Sequence, residues 1–133
     1  MLIVGEREAA KVSRSLGLLA NRGVQYVRAE VDAIDVASKT VDTSSGKLEY
    51  DYLVVAPGAV YDWEAVPGAT NAYSFYDIES ARHLRRKLSR FRKGRVIIAV
   101  SSLPYKCPPA PYEVAMILDW EFRRRGVRKD IEL

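Results

Sequence analysis

Arg95-Val96-Ile97-Ile98-Ala99-Val100-Ser101-Ser102-Leu103-Pro104-Tyr105-Lys106-Cys107-Pro108-Pro109-Ala110-Pro111-Tyr112-Glu113 is the stretch that decides how this chain is read. Its opening apolar run has the composition of a strand covered on both faces. Beyond a proline-rich loop, Val114, Ala115, Ile117 and Leu118 crowd the start of a helical pattern running from Tyr112 to Arg125, which Gly126 stops. Strand, loop and helix in that order make an α/β unit, with the loop at the sheet edge where ligands bind.

That loop carries the only cysteine of the chain among four prolines. Residues before proline avoid the α region, so Cys107, Pro108 and Ala110 are expected to be extended, with Pro111 at the first helical position. Free amides at a helix N-terminus and the neighbouring Lys106 would favour a thiolate on Cys107. Glu113, in the first helical turn, is placed to carry a proton. The competing reading of a lone cysteine is a small buried hydrophobe.

Upstream, Tyr52-Leu53-Val54-Val55-Ala56 is a second run of the covered-strand type, ending at Pro57-Gly58-Ala59. A glycine there lets a ligand approach the backbone. Before it, Val24 to Val36, Lys39 to Thr43 and Lys47 to Tyr50 read as an antiparallel meander turning at Ser44-Ser45-Gly46. Ala9, Val12, Leu16 and Leu19 are spaced as an amphipathic helix that Gly23 ends. Tyr61 to Tyr76 has no period and reads as a connection. Asp77 caps a helix whose apolar stripe is Ile78, Ala81, Leu84, Leu88 and Phe91, with Gly94 as its stop. Asp130 to Leu133 begins another strand, and the two α/β units lack sheet partners, so the chain reads as a segment of a longer protein.

With 133 residues, 48% hydrophobic and 29% charged, the composition is that of a soluble globular domain with a real core. One cysteine suits a reducing compartment, and no apolar run has the length of a membrane span. The net charge of +4 comes largely from Arg82 to Arg95 and from Arg123 to Lys129. No stacking aromatics interleave these residues and no reading-helix motif accompanies them, which argues against nucleic acid; an anionic membrane surface or protein partner remains open beside plain solvation. His83 has no ligand cluster around it, so no metal is expected. Gly-x-Gly-x-x-Gly is absent, and no glycine lies between Gly94 and Gly126. Pro108, Pro109 and Pro111 also remove amide donors, so the second unit should not bind a nicotinamide dinucleotide in the usual way.

Tyr50-Asp51-Tyr52-Leu53-Val54-Val55-Ala56-Pro57-Gly58-Ala59, followed about fifty residues later by Lys106-Cys107-Pro108-Pro109-Ala110-Pro111-Tyr112-Glu113, resembles the sulfide:quinone oxidoreductase branch of the FAD-dependent pyridine nucleotide-disulfide oxidoreductases. The resemblance implies an α/β fold: parts of two Rossmann-like domains of the FAD/NAD(P)-binding type with an antiparallel β-meander. The first would be residues 1–76, and the second, 77–133, would carry the cysteine loop. It implies FAD contacts at Ala56, Gly58 and Ala59, the adenine near Val31, and Lys106 and Pro108 beside the cofactor. Cys107 corresponds to the redox cysteine that takes sulfur from sulfide or polysulfide, and Glu113 to a proton-moving carboxylate. Electrons would pass through flavin to a quinone, in a cytoplasmic protein with possible docking at the inner face of the membrane.

The glycine-rich fingerprint that holds the FAD pyrophosphate and a partner cysteine of that family are missing from this stretch, so by itself it is expected to be inactive and not to retain FAD. The alternatives are a related disulfide reductase or type II NADH dehydrogenase, or a non-catalytic domain of the same architecture.

Overall fold

The computed structural model describes all residues from Met1 to Leu133, which divide into two compact units: Arg14–Tyr61, and Met1–Ser13 with Asp62–Leu133. The helix expected from Ala9 through Leu19 is interrupted. Helix α1 is a single turn, Ala9–Val12, and ends at Ser13 in extended geometry. The chain resumes as a 3-10 helix over Leu16–Arg22, started by the Ser15 hydroxyl, which accepts from the Gly17 amide at 3.2 Å. Serines at 13 and 15 offer the backbone local bonds that compete with a continuous helix, and neither piece buries a side chain that could offset them. Gly23, at φ +77°, closes the 3-10 helix as expected.

The meander forms, in Arg14–Tyr61, as β1 (Val31–Asp35), β2 (Thr40–Thr43) and β3 (Gly46–Glu49), all antiparallel in that order. Asp35 Oδ1 accepts from the amides of Ala37 and Ser38 at 2.9 and 3.0 Å, which shapes the β1–β2 turn. Thr43 donates to the Gly46 carbonyl at 2.7 Å and shapes the next one. Val24 to Glu30 stays outside the sheet. So does Tyr52–Ala56, which is a correction: the run forms no strand, and Tyr52, Val54 and Val55 are 95%, 89% and 62% exposed. An apolar run becomes a strand only where another backbone takes its hydrogen bonds, and no strand of this chain lies beside it.

The other unit holds the core. Helix α2 (Ile78–Arg90) starts at Asp77, whose Oδ1 accepts from the Ser80 amide at 2.8 Å; that bond lowers the Asp77 pKa. It ends at Phe91, so Gly94 opens strand β4 (Gly94–Arg95) and does not stop the helix. Helix α3 (Ala110–Arg124) buries Val114, Leu118, Glu121 and Phe122, positions one turn apart on one face. Phe122 is fully buried among Ile3, Ala81, Leu88, Val114, Leu118 and Ile131, with Phe91 packed at 6.2 Å between ring centres. Strand β5 (Ile131–Glu132) pairs parallel with β4, and the Val96 amide extends the ladder to the Glu132 carbonyl at 2.8 Å. The strand expected over Arg95–Val100 is therefore two residues long, because β5 offers no more backbone; Ile97 is 77% exposed.

The helices are tied end to end by Arg125, whose guanidinium donates to the Leu88 carbonyl at 2.8 Å and to that of Phe91. These carbonyls lie at the end of α2, where that of Leu88 also accepts from the Phe91 amide at 3.1 Å. Arg124 donates to buried Glu121 at 2.7 Å. Gly126, at φ +70°, turns the chain out of α3 as expected. No helix is long and apolar enough to cross a membrane.

Phe122→Ala is expected to cost about 3–5 kcal/mol of stability in a denaturant melt, whereas Tyr52→Ala should change it by about 0.5 kcal/mol or less. Asp119 accepts from Arg123 and Arg128, and these bonds hold its carboxyl below the ordinary 3.8. A depressed folded-state pKa gives stability that is complete above 3.8 and lost as pH falls through the lower folded value. Asp119→Asn should flatten that acid limb of the stability curve and lower the plateau above it.

Candidate functional site

The cysteine loop is built by the start of α3. Proline has no amide to lose, which makes it acceptable at a helix entry; Pro109 takes the N-cap place and Pro111 lies in the first turn. The Ala110 amide is used on the Cys107 carbonyl at 3.0 Å, and the Glu113 amide closes the turn on the Pro109 carbonyl at 3.0 Å. Of the first three helical residues, only Tyr112 keeps a free N–H, so the cluster of amides expected to face the thiol is reduced to one donor.

Cys107 itself is an exposed free thiol, which removes the buried-hydrophobe reading. Its φ of +58° corrects the expectation of an extended residue, and Ala110, as the first residue of α3, is helical despite the proline after it. The left-handed region is unfavourable for a side chain with Cβ. Two hydrogen bonds bracket it: the Ala110 amide on the Cys107 carbonyl, and the Tyr105 hydroxyl donating across the cysteine to the Pro108 carbonyl at 3.2 Å. Tyr105 was not singled out by sequence. Its signal is a phenol two residues before the thiol, long enough to span the turn it helps to hold.

Glu113 is exposed in the first turn of α3 and lines a cavity of about 340 Å³ with Met1, Ile3, Phe75, Tyr76, Ile78 and Ile117. Phe75 and Tyr76 stack at 4.8 Å on its wall. Cys107 does not line that cavity, and no hydrogen bond joins the thiol to the Glu113 carboxylate. The two residues share a loop and helix start without a hydrogen bond between them. Lys106 and Pro108 flank the cysteine and are exposed. His83, also exposed, stands edge-on to Tyr73 at 5.3 Å on the wall of a second cavity of about 400 Å³.

Arg14–Tyr61 contains the other expected contacts. Gly58 has φ +77°, with nothing within 4 Å of where a Cβ would stand. Ala56 and Ala59 beside it are exposed, and the backbone from Leu53 to Val60 makes no ladder bonds. Small side chains along a free backbone leave room for a planar ligand to lie against it. Val31 opens β1 at an irregularity in the β1–β2 pairing and is 56% exposed.

The family model for the sulfide dehydrogenase [flavocytochrome c] flavoprotein chain, central part, matches residues 81–131. The chain is 30% identical to the sulfide-quinone reductase of Aquifex aeolicus over 99% of its own length and 31% of that protein's. It is 32% identical to alternative NAD(P)H-ubiquinone oxidoreductase C1 of Arabidopsis thaliana over 99% of its length and 29% of the relative. The solved structure of the sulfide:quinone oxidoreductase from Aquifex aeolicus superposes with a TM-score of 0.74 and 31% identity, covering 98% of this chain and 31% of that one. This chain thus spans less than a third of the length of these relatives.

Native Cys107 should react completely with a small alkylating reagent without unfolding, as read by intact mass. Tyr105→Phe removes one exposed hydrogen bond and is expected to leave the melt within about 0.5 kcal/mol of the parent. The alkylation rate should shift by up to roughly fivefold as the loop loosens.

Proposed function

Because this chain is similar to sulfide:quinone oxidoreductases over nearly its whole length, in sequence and in fold, we propose that it forms the cysteine-bearing part of an FAD-dependent oxidoreductase carrying electrons from sulfide to quinone. The observation that carries the reading is Cys107: an exposed thiol at the entrance of α3, inside the stretch that the flavocytochrome c sulfide dehydrogenase model matches. In this reading residues 1–76 belong to an FAD-binding domain and 77–133 to a second Rossmann-like domain. The protein works in the cytoplasm at the inner face of the membrane, where quinone is met.

The residues of Arg14–Tyr61 fit one side of FAD. Ala56, Gly58 and Ala59 supply free backbone and no bulk, and Val31 supplies backbone for the adenine. When bound, FAD accepts two electrons and passes them to the quinone. An S–S bond between Cys107 Sγ and the sulfur of sulfide can form only as two electrons and two protons leave the pair of sulfurs, and bound FAD would be the two-electron acceptor that balances this step. Lys106 steadies the thiolate by its charge, and Glu113 takes up a released proton through water. Further sulfide would lengthen the chain to a polysulfide by the same chemistry.

A second reading, oxidation of NAD(P)H, draws on the Arabidopsis relative. The sequence weakens it. A nicotinamide dinucleotide needs amides and glycines at the helix entry, and here Pro109 and Pro111 occupy that entry with no glycine between Gly94 and Gly126.

Absorption spectra of the full-length gene product decide between them. Flavin bands bleached by sulfide and not by NADH are expected. Cys107→Ser should abolish bleaching by sulfide while retaining the flavin, and Glu113→Gln should slow it by about 10²-fold. Bleaching by NADH alone, or unimpaired sulfide reduction in Cys107→Ser, would overturn the reading.

A further inference from the structure

Two basic clusters that look alike in sequence have different fates in the fold. In the C-terminal cluster, Arg123 and Arg128 donate to Asp119, Arg124 donates to Glu121, and Arg125 holds the last carbonyls of α2. Those charges are consumed internally. The other cluster has no such sink: no aspartate or glutamate occurs from Ser80 through Tyr112, while seven arginines and lysines lie between Arg82 and Lys93.

Within that cluster Arg82 reaches Glu79 at 3.5 Å and Arg85 reaches Glu8 at 3.6 Å, both long, exposed pairs. Arg86, Lys87, Arg90 and Lys93 are exposed and belong to no ion pair. Arg86 and Arg90 lie four residues apart, one above the other on α2, with Lys87 alongside, and Lys93 follows just beyond the end of the helix. Ala81 and Leu88 are buried on the opposite side, so this face is held outward by the core. A merely solvated helix face usually mixes signs at spacings of three and four, which relieves repulsion. This one leaves Arg86, Lys87 and Arg90 uncompensated over about 6 Å of helix.

We propose that the Arg86, Lys87 and Arg90 face of α2, with Lys93 just beyond the helix end, docks on an anionic lipid surface. A row of mobile cations without a groove matches the diffuse negative charge of headgroups, to which each lysine or arginine adds attraction within a Debye length. A nucleic acid is the poorer fit: Phe91, the aromatic among these cations, packs against the core and is not offered to bases. The apolar side of α2 is committed to the core, so the contact stays at headgroup level without insertion and is sensitive to salt. The inference rests on the reading above to the extent that a quinone acceptor dissolves in lipid, and it supplies the face by which the membrane would be met.

The test is co-sedimentation of this chain with vesicles of phosphatidylcholine alone and of phosphatidylcholine mixed with phosphatidylglycerol. Binding to the mixed vesicles only, weakened by added salt, is expected. R86E/K87E/R90E should lower it on the order of 100-fold, with an unchanged circular-dichroism melt. Should that variant fold poorly, the neutralised pair K87Q/R90Q should still lower binding at least about fivefold. Equal sedimentation with both vesicle types, unaltered binding of the folded variants, or tighter binding to duplex DNA than to the mixed vesicles would overturn the proposal. No step of this assay involves flavin or sulfide, so its failure leaves the catalytic reading standing, and loss of the catalytic reading leaves a lipid-binding face measurable.

Discussion

Every backbone amide and carbonyl taken from water needs a partner, and that requirement decides which parts of this chain become regular structure. Where partners exist, apolar sequence folds as its pattern asks. Thr40–Thr43 has a neighbour on both sides and contains the buried Thr40 and Val41; Gly94–Arg95 has Ile131–Glu132 and becomes a parallel ladder. Where partners are lacking, the same kind of sequence stays irregular. Tyr52–Ala56 is as apolar as any strand of a parallel sheet, yet it lies in water. Hydrophobicity makes a strand worth burying; only another backbone makes it a strand.

This explains how far the sequence could be read. Local signals were legible: the Asp77 cap, the stripe of α2, the helix-ending glycines at 23 and 126, and the meander around Ser44 and Ser45. Each is settled within a few residues. The two covered strands depended on distant backbone, which a residue pattern does not contain, and were read too long or read where none forms. The helix from Ala9 was misjudged for a related reason. Its apolar spacing is right, but the face has nothing to bury against, and the serines at 13 and 15 then prevail.

The candidate site shows the same division. An exposed thiol beside a helix start could be anticipated from prolines and charges around Cys107. The left-handed turn at Cys107 and the Tyr105 bond across it could not, because proline statistics describe an average and the bond depends on where the phenol ends up. Nor could the sequence tell the two basic clusters apart. Asp119 and Glu121 lie close to the second cluster along the helix, whereas carboxylates reach the first only at Arg82, Arg85 and, at its far end, Arg95.

The unladdered run from Leu53 to Val60 has a consequence for the molecule in solution. It carries no charge, is rich in β-branched residues, and leaves its amides and carbonyls open. Such a strip is a template for an extended chain, and a second molecule is the nearest source. Crowded copies would zip together through it, with Pro57 and Gly58 as the natural breaks that slow the growth of fibrils.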